Sequence, residues 1–517
     1  MFINKKLVFT AAVALVLAGS SCKKYLDVNT DPNVSQTATV QTLLPAAELL
    51  VGSSVGVDLQ ITGSIWSQYW TQTPNASQYV TFEQYAPGQD AFLNSWSNLY
   101  SAAENFYQLY NLADTLHKKQ YMAISLLMQA YTFQLISDGW GDVPFKQALK
   151  GQYDNGHLIN PKYDSQLVVY NGILAYIDSA NKLINTAATS STGAPSTDDL
   201  IYGGDMVKWQ KFSNTLKLKI LLRMSAVNPT VAHSKITALF AGSTASTFIG
   251  IGDEAKISYG FSSANKSPLY AETSSTALSG IQNLGGSKTC IDSMNSNSDP
   301  RAVIFYEPIS SGAVVGITQS QYNVTIPSTS YSIPSFYVAG DNTSTNSSKS
   351  TNAPVNLLTG WESYFMQAEV AARGWGATSA AEDVLFYDGI KASFGYQFYS
   401  DALAAEWGPT AYADYIAGAG YWTVYPTAGT LANRLKFIIT QKWFAMCGNQ
   451  GFEAWSELRR TGYPDFLVHP VNSLIGTNRP YRYMYPTTES STNANFPTSG
   501  VAPLTSKVWW TASTINW

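Results

Sequence analysis

Charge is scarce in this chain of 517 residues. Asp, Glu, Lys and Arg together make up 13% of it, about half of the ~25% usual for a soluble domain. The formal net charge is −4, and the basic residues gather in no stripe. A nucleic-acid partner is not expected, because cationic charge against phosphates supplies most of that affinity. Cysteine is nearly absent: Cys22, Cys290 and Cys447 are too few for a disulfide framework and wrongly spaced for zinc. The four histidines, His117, His157, His233 and His469, lie far apart, so no metal site announces itself. There is no GxSxG elbow and no Walker A sequence, and the GGSK run at 285–288 is too short to cradle phosphate specifically. No cofactor and no catalytic residue are expected.

Aromatic residues are plentiful, at 13% with 14 Trp and 32 Tyr. The polar remainder is mostly Ser, Thr, Asn and Gln. Rings stack on apolar faces and amides bond to hydroxyls, so such a surface suits neutral, hydroxylated ligands. A composition bias common to secreted proteins is the alternative.

Residues 1–21 read as a secretory leader. Lys5 and Lys6 form a positive n-region, Leu7 to Ala18 an apolar run, and Gly19, Ser20 and Ser21 a small-residue stretch before Cys22. The run is too short for a stable membrane anchor. A cysteine directly after small residues resembles the lipobox of bacterial lipoproteins, although Gly19 stands where Leu is common. Cys22 is then the expected lipidation site, residues 22–40 a polar tether, and the lipid the only anchor. No later segment is expected to cross a bilayer.

No linker divides the remainder, and a single domain over 41–517 is expected. Phe92, Trp96, Leu99, Ala103, Phe106 and Tyr110 recur at helical steps, and His117–Lys119 break the pattern. A second helix runs through Tyr121, Ile124, Leu127, Met128, Tyr131 and Leu135, followed by DGWGDVPF (138–145) as a loop. Further helices are predicted at about 164–187, from Trp209 to Met224, and at about 360–373, 379–394, 430–446 and 450–460. Asn228-Pro229 stops the helix that contains Trp209. Paired amphipathic helices with short turns suggest tetratricopeptide-type hairpins. The middle, about 242–356, reads as loops and short strands, with runs such as VVGITQ, YNVTI and PSFYVAG.

Several segments resemble the SusD/RagB family of nutrient-binding outer-membrane lipoproteins: YLDVNTDPN (25–33), DGWGDVPF (138–145), MVKWQKFSNTLKLKILLRM (206–224), SDPRAVIFY (298–306), FMQAEVAARGW (365–375), QKWFAMCGNQGFEAWSELRRTGYP (441–464) and RPYRYMYPTTE (479–489). They occur in the family's order. The resemblance implies a mainly α, SusD-like fold with four tetratricopeptide-type hairpins, plus an irregular loop-rich half with a few short strands. It implies a lipid-anchored outer-membrane protein on the cell surface that binds oligosaccharide, or peptide in some branches, and does no chemistry. The implied partner is a TonB-dependent β-barrel transporter, SusC-like. Lys23 and Lys24 stand where surface-export signals are often acidic.

The segment GSIWSQYWTQTPNASQYVTFEQY (63–85) holds the best ligand candidates: Trp66, Tyr69, Trp70, Gln72, Asn75, Gln78 and Tyr79. On a helix Trp66 and Trp70 would share a face. Against a ligand role, both tryptophans, and Trp96, also fit a core. In the middle segment Tyr306, Tyr322, Tyr331 and Tyr337 are further candidates, Tyr306 foremost. Glu453 and Glu457 invite a glycosidase reading, but two carboxylates one helical turn apart cannot flank a substrate; pairing with Arg459 and Arg460 is expected. Asp138 and Asp142 could ligate calcium, but they match no EF-hand and a structural turn around Trp140 is preferred. Cys290 and Cys447 either pair in an oxidising compartment or remain buried thiols.

Overall fold

The computed structural model describes residues 38–74, 76–151, 158–186, 193–244, 246–260, 265–273, 282–335, 337–338, 353–397, 408–497 and 502–511. The leader, Cys22, most of the tether and Asn75 lie outside them. The architecture is mainly α, and it starts with α1 (Val40–Gly56), α2 (Asp58–Trp66), β1 (Trp70–Gln72) and the short α3 (Val80–Glu83).

The long helices form where the apolar period is strongest. In α4 (Leu93–Thr115), Trp96, Leu99, Ala103 and Phe106 are buried, Phe92 is buried just before it, and Tyr110 is half-buried. His117 turns the chain with a left-handed backbone (φ 55°), and α5 (Lys119–Trp140) returns. Almost every residue of α5 is buried, so it is the central helix of this half. After β2 (Val143–Pro144) and β3 (Tyr163–Asp164) come α6 (Gln166–Thr186), α7 (Met206–Arg223) and α8 (Pro229–Phe240). Asp205 caps α7 by accepting from the amides of Val207 and Lys208, and Pro229 opens α8, where its missing N–H costs nothing. Helix α1 packs on α4, α4 on α5, α5 on α6, α6 on α7 and α7 on α8. From α4 to α8 neighbours in sequence are thus neighbours in space, as in tetratricopeptide-type packing.

The middle holds β4 (Ala255–Ile257), α9 (Pro268–Thr273), β5 (Leu284–Gly286), α10 (Lys288–Ser296) and α11 (Ala302–Phe305). Then β6 (Val355–Leu358) leads into α12 (Gly360–Arg373), which packs on α13 (Glu382–Gln397). Helix α14 (Gly408–Ala417) precedes α15 (Leu431–Met446) and α16 (Gly451–Thr461), and α17 (Thr487–Thr492) follows. Three antiparallel two-stranded ladders, β1–β5, β2–β3 and β4–β6, join distant segments. Helices α2 and α16 cross at glycines: a Cβ on Gly63 would lie 2.2 Å from the Gly451 carbonyl carbon, and one on Gly451 2.4 Å from the Gln60 oxygen.

Several sequence expectations need correction. DGWGDVPF is not all loop, because α5 runs through Asp138 and Gly139 to Trp140 before Gly141 (φ 87°) ends it. Its buried partners explain the extension: Asp138 accepts from Gln134, Tyr170 and the Trp510 indole. Asp138 also lies 3.3 Å from Arg223, and Asp142 accepts from the Gln166 amide, so both carboxylates are occupied in structural contacts. Trp66 ends α2 while Trp70 begins β1, so the two do not share a helical face. The runs VVGITQ, YNVTI and PSFYVAG form no strands among the described residues; only isolated bridges at Ile317 and Pro334 mark them. The middle is instead partly helical. Finally, Val40–Trp66 is apolar enough to pass as a membrane span, with a mean hydropathy of 1.3. In the fold it is two core helices divided at Val57.

Glu453 and Glu457 sit in a buried ionic network rather than beside both neighbouring arginines. Glu453 pairs with Arg223 (2.7 Å) and Lys219 (3.1 Å). Glu457 pairs with Arg460 (2.7 Å), Arg223 (2.8 Å) and Lys442 (3.1 Å). Arg460 also grips Glu369 at 2.6 Å. Arg459, expected to pair with a carboxylate, donates instead to the carbonyls of Asp138 and Tyr481 and lies 3.4 Å from the Trp455 ring centroid. Burial raises the pKa of a carboxyl, but the surrounding cations outweigh it and hold Glu453 below, and Glu457 well below, the usual range. This constellation ties α7, α12, α15 and α16 together.

Candidate functional site

Strand β1 is the spine of the expected ligand segment, and both it and its partner β5 are interior. Trp70 faces Gly286 and Gln72 faces Leu284 across the ladder. The glycines are required: a Cβ on Gly286 would approach Ile291 to 2.5 Å and Tyr306 to 2.9 Å. Gln319 closes the site from beneath, donating to the Trp70 carbonyl and to the Glu83 carboxyl at 3.1 Å each.

This arrangement places most of the expected stacking residues in the core. Trp66 donates to the Phe82 carbonyl (3.1 Å) and packs edge-on against Trp455, with centroids 4.8 Å apart. Tyr69 donates to the Trp443 carbonyl and lies against the Trp443 ring. Trp70 is wholly buried, and Tyr306 donates to the Tyr69 carbonyl at 2.8 Å. Gln72 is also internal: its amide donates to Glu83 (2.9 Å) and its side-chain oxygen accepts from the Tyr79 amide (2.6 Å). A buried ring has no free face for a sugar, so these five residues build the platform and do not form its surface. Tyr331 is likewise buried, while Tyr322 and Tyr337 are half-buried.

Gln78 is the exposed member, and three segments meet there. Its Nε2 donates to Glu272 Oε2 (3.2 Å), its Oε1 accepts from Asn283 Nδ2 (2.9 Å), and its backbone amide donates to Asn283 Oδ1 (3.3 Å). The Tyr79 hydroxyl reaches the same Glu272 oxygen at 3.4 Å. Burial, and then the Glu272 charge, push the Tyr79 phenol upward, so it remains a proton donor at neutral pH. Asp58, which accepts from Ser95 (2.8 Å), has a carboxyl raised first by burial and also by Glu272. Nearby in sequence, Gln84 donates to the Tyr322 hydroxyl (2.7 Å). Below this rim Glu83 is buried, and burial pushes its carboxyl up to about 8. The rim therefore offers the exposed Gln78 amide and the half-buried Glu272 carboxylate, with the Tyr79 phenol buried behind them, which is a donor and acceptor set for hydroxyl groups.

A concavity of about 680 Å³ opens elsewhere, walled by Tyr202, Ile251, Glu254, Tyr337, Val338 and Asn449 among others. Tyr202 is fixed by donating to the Asp253 carbonyl (2.8 Å), and Asn449 accepts from Asn356 (3.2 Å). Glu272, Asn283 and Tyr202 belong to no motif, Asn449 lies in the 441–464 segment without being singled out there, and only the tertiary fold brings them to these sites. Among the described residues no three His, Cys, Asp or Glu side chains gather to hold a metal ion.

Residues 31–486 match the family model SusD-like, described as starch-binding associating with outer membrane. A chitin-binding protein of known structure is 22% identical, with a TM-score of 0.75 over 92% of this chain and 100% of its own. A SusD homologue from Bacteroides fragilis is 21% identical, with a TM-score of 0.72 over 92% and 99%. A chitin-binding SusD homologue from Flavobacterium johnsoniae is 22% identical, with a TM-score of 0.71 over 90% and 98%. At these identities the likeness concerns the fold. A search of curated protein sequences finds no match.

Proposed function

Because the chain belongs to the SusD-like family, we propose that it captures neutral oligosaccharide at the cell surface without cleaving it and hands it to a TonB-dependent β-barrel transporter. In this reading Cys22 carries the lipid that holds the protein on the outer membrane, and the ligand meets the rim formed by Gln78, Tyr79 and Glu272. The observation that carries it is the exposed Gln78 amide, held between Glu272 and Asn283. Fixed polar groups lose little freedom when a ligand binds. Asn75, beside this rim in sequence, is a further proposed contact. The chitin-binding relatives make N-acetylated glycans the first class to try. Peptide is the second ligand class, and a lipid-anchored glycosidase the third reading.

Affinity electrophoresis through gels containing soluble polysaccharides tests the site. Retardation by a glycan should vanish in Gln78→Ala with Glu272→Ala and persist in Tyr202→Ala with Asn449→Ala. The reverse pattern would move the site to the 680 Å³ concavity. For the anchor, Cys22→Ala should move the protein from the outer-membrane fraction to a soluble one; an unchanged distribution would refute lipidation.

A further inference from the structure

We propose that Cys290 and Cys447 form a structural disulfide when the chain folds in an oxidising environment. They are 157 residues apart in sequence, yet their Sγ atoms lie 4.0 Å apart. Cys290 stands in the first turn of α10 and Cys447 directly after α15. Both are wholly buried. A disulfide needs about 2.05 Å between sulfurs, so the two neighbouring thiols have about 2 Å left to close. The pair sits where the loop-rich middle meets the C-terminal helices. Tyr306 lies against it, with its hydroxyl 3.3 Å from Cys447 Sγ and donating to the Tyr69 carbonyl. A bond here would fasten α10 and the β1–β5 platform to the end of α15.

The surroundings distinguish a structural bond from a reactive one. A catalytic thiol needs exposure and a neighbour that favours the thiolate. Here burial, then the other cysteine, push the Cys447 thiol well above its ordinary value. Oxidation therefore belongs to the open chain, before this interior closes. Two thiols exchange with one disulfide-bonded oxidant, an oxidised oxidoreductase or glutathione disulfide. The first thiolate opens the oxidant's S–S bond to give a mixed disulfide and releases one thiol. The second thiolate displaces the other. One Cys290–Cys447 bond forms, two protons leave the cysteines, and the oxidant takes both electrons as two thiols.

The test is refolding of the full mature chain from denaturant in a mixture of reduced and oxidised glutathione. Alkylation of remaining thiols under denaturing conditions and peptide mass mapping without reduction then follow. A linked 290–447 peptide, 2 Da lighter than the two thiol peptides, is expected. Recovery of both cysteines alkylated would overturn the pairing. The linked protein should melt about 5 °C above its reduced form, from the closure entropy of a 157-residue loop. Equal melting temperatures would also overturn a stabilising bond. Cys290→Ser with Cys447→Ser, if it folds, should melt with the reduced protein. Mapping protein taken from cells separates this from the export reading: a retained 1–21 leader would sink export, whereas processed protein with two free thiols would sink the disulfide.

Discussion

Replacing Arg460 with Met tests whether the buried ionic network holds the helical half together. The guanidinium makes four hydrogen bonds: 2.7 and 2.6 Å to the two Glu369 oxygens, and 2.9 and 2.7 Å to those of Glu457. Met fills much of the volume but leaves two carboxylates short of a cation in the interior. Glu369 keeps only its contact with Arg373 (2.8 Å), and Glu457 keeps Lys442 and Arg223. Removing one partner of a buried pair costs about 3–5 kcal/mol, because the surviving charge loses compensation it cannot regain from water. Unfolding entropy near 60 °C is about 2.1 cal/mol/K per residue, or about 1.1 kcal/mol/K over 517 residues. Arg460→Met should therefore lower the thermal midpoint by about 3–5 °C at pH 7, measured by circular dichroism or scanning calorimetry. Arg460→Lys should fall between, since an ammonium cannot grip two carboxylates as a fork does. A midpoint within 1 °C of wild type for Arg460→Met would refute the claim that this contact is uncompensated elsewhere.

Three further outcomes follow from the same physics. Glu369, Glu453 and Glu457 have folded pKa values below the ordinary 4.5, so the stability they contribute is present above that pH and lost as pH falls through their folded values; thermal midpoints should drop steeply below pH 4.5, and a flat profile there would contradict the network. Glu83 has the opposite sign: its folded value of about 8 lies above 4.5, so it favours the fold at low pH and loses that contribution as pH rises through 8; Glu83→Gln should raise the midpoint at pH 9 and leave it nearly unchanged at pH 4, and no gain at pH 9 would sink the assignment. Gly63→Ala drives a methyl into the Gly451 backbone at 2.2 Å, a site with no flexible side chain to yield, so a loss of about 3 kcal/mol or a failure to fold is expected from denaturant melts; near-wild-type stability would show that α2 and α16 can separate freely.

The helices were legible because burial on one face writes a period into the sequence. The runs around Trp96, Tyr131, Ile177 and Leu216 all became buried helical stripes. Asp138–Trp140 was misjudged because two glycines and a nearby proline signal a loop, whereas the bonds to Tyr170, Trp510 and Arg223 that keep this turn helical come from residues far away in sequence. The ligand segment shows the same limit from the other side. Trp66, Tyr69 and Trp70 carry the residue types of a sugar platform, but ring chemistry alone does not say which side faces solvent. The burial of Trp66 and Tyr69 depends on Trp443, Trp455 and Tyr483, hundreds of residues later. Gln78 meets Glu272 and Asn283 through contacts about 200 residues apart in sequence, and no local spacing encodes that meeting. The family resemblance carried the fold further than periodicity did, since it joins segments that periodicity treats separately.

Capture without cleavage is tested most directly by titrating the mature protein calorimetrically with chitin-derived and starch-derived oligosaccharides, then sizing the recovered glycan after prolonged incubation. Saturable binding in the micromolar to millimolar range, abolished by Gln78→Ala with Glu272→Ala at an unchanged melting temperature, and sugar chains of unaltered length are the predicted result. Shortened chains, or heat released only by peptides, would contradict the account.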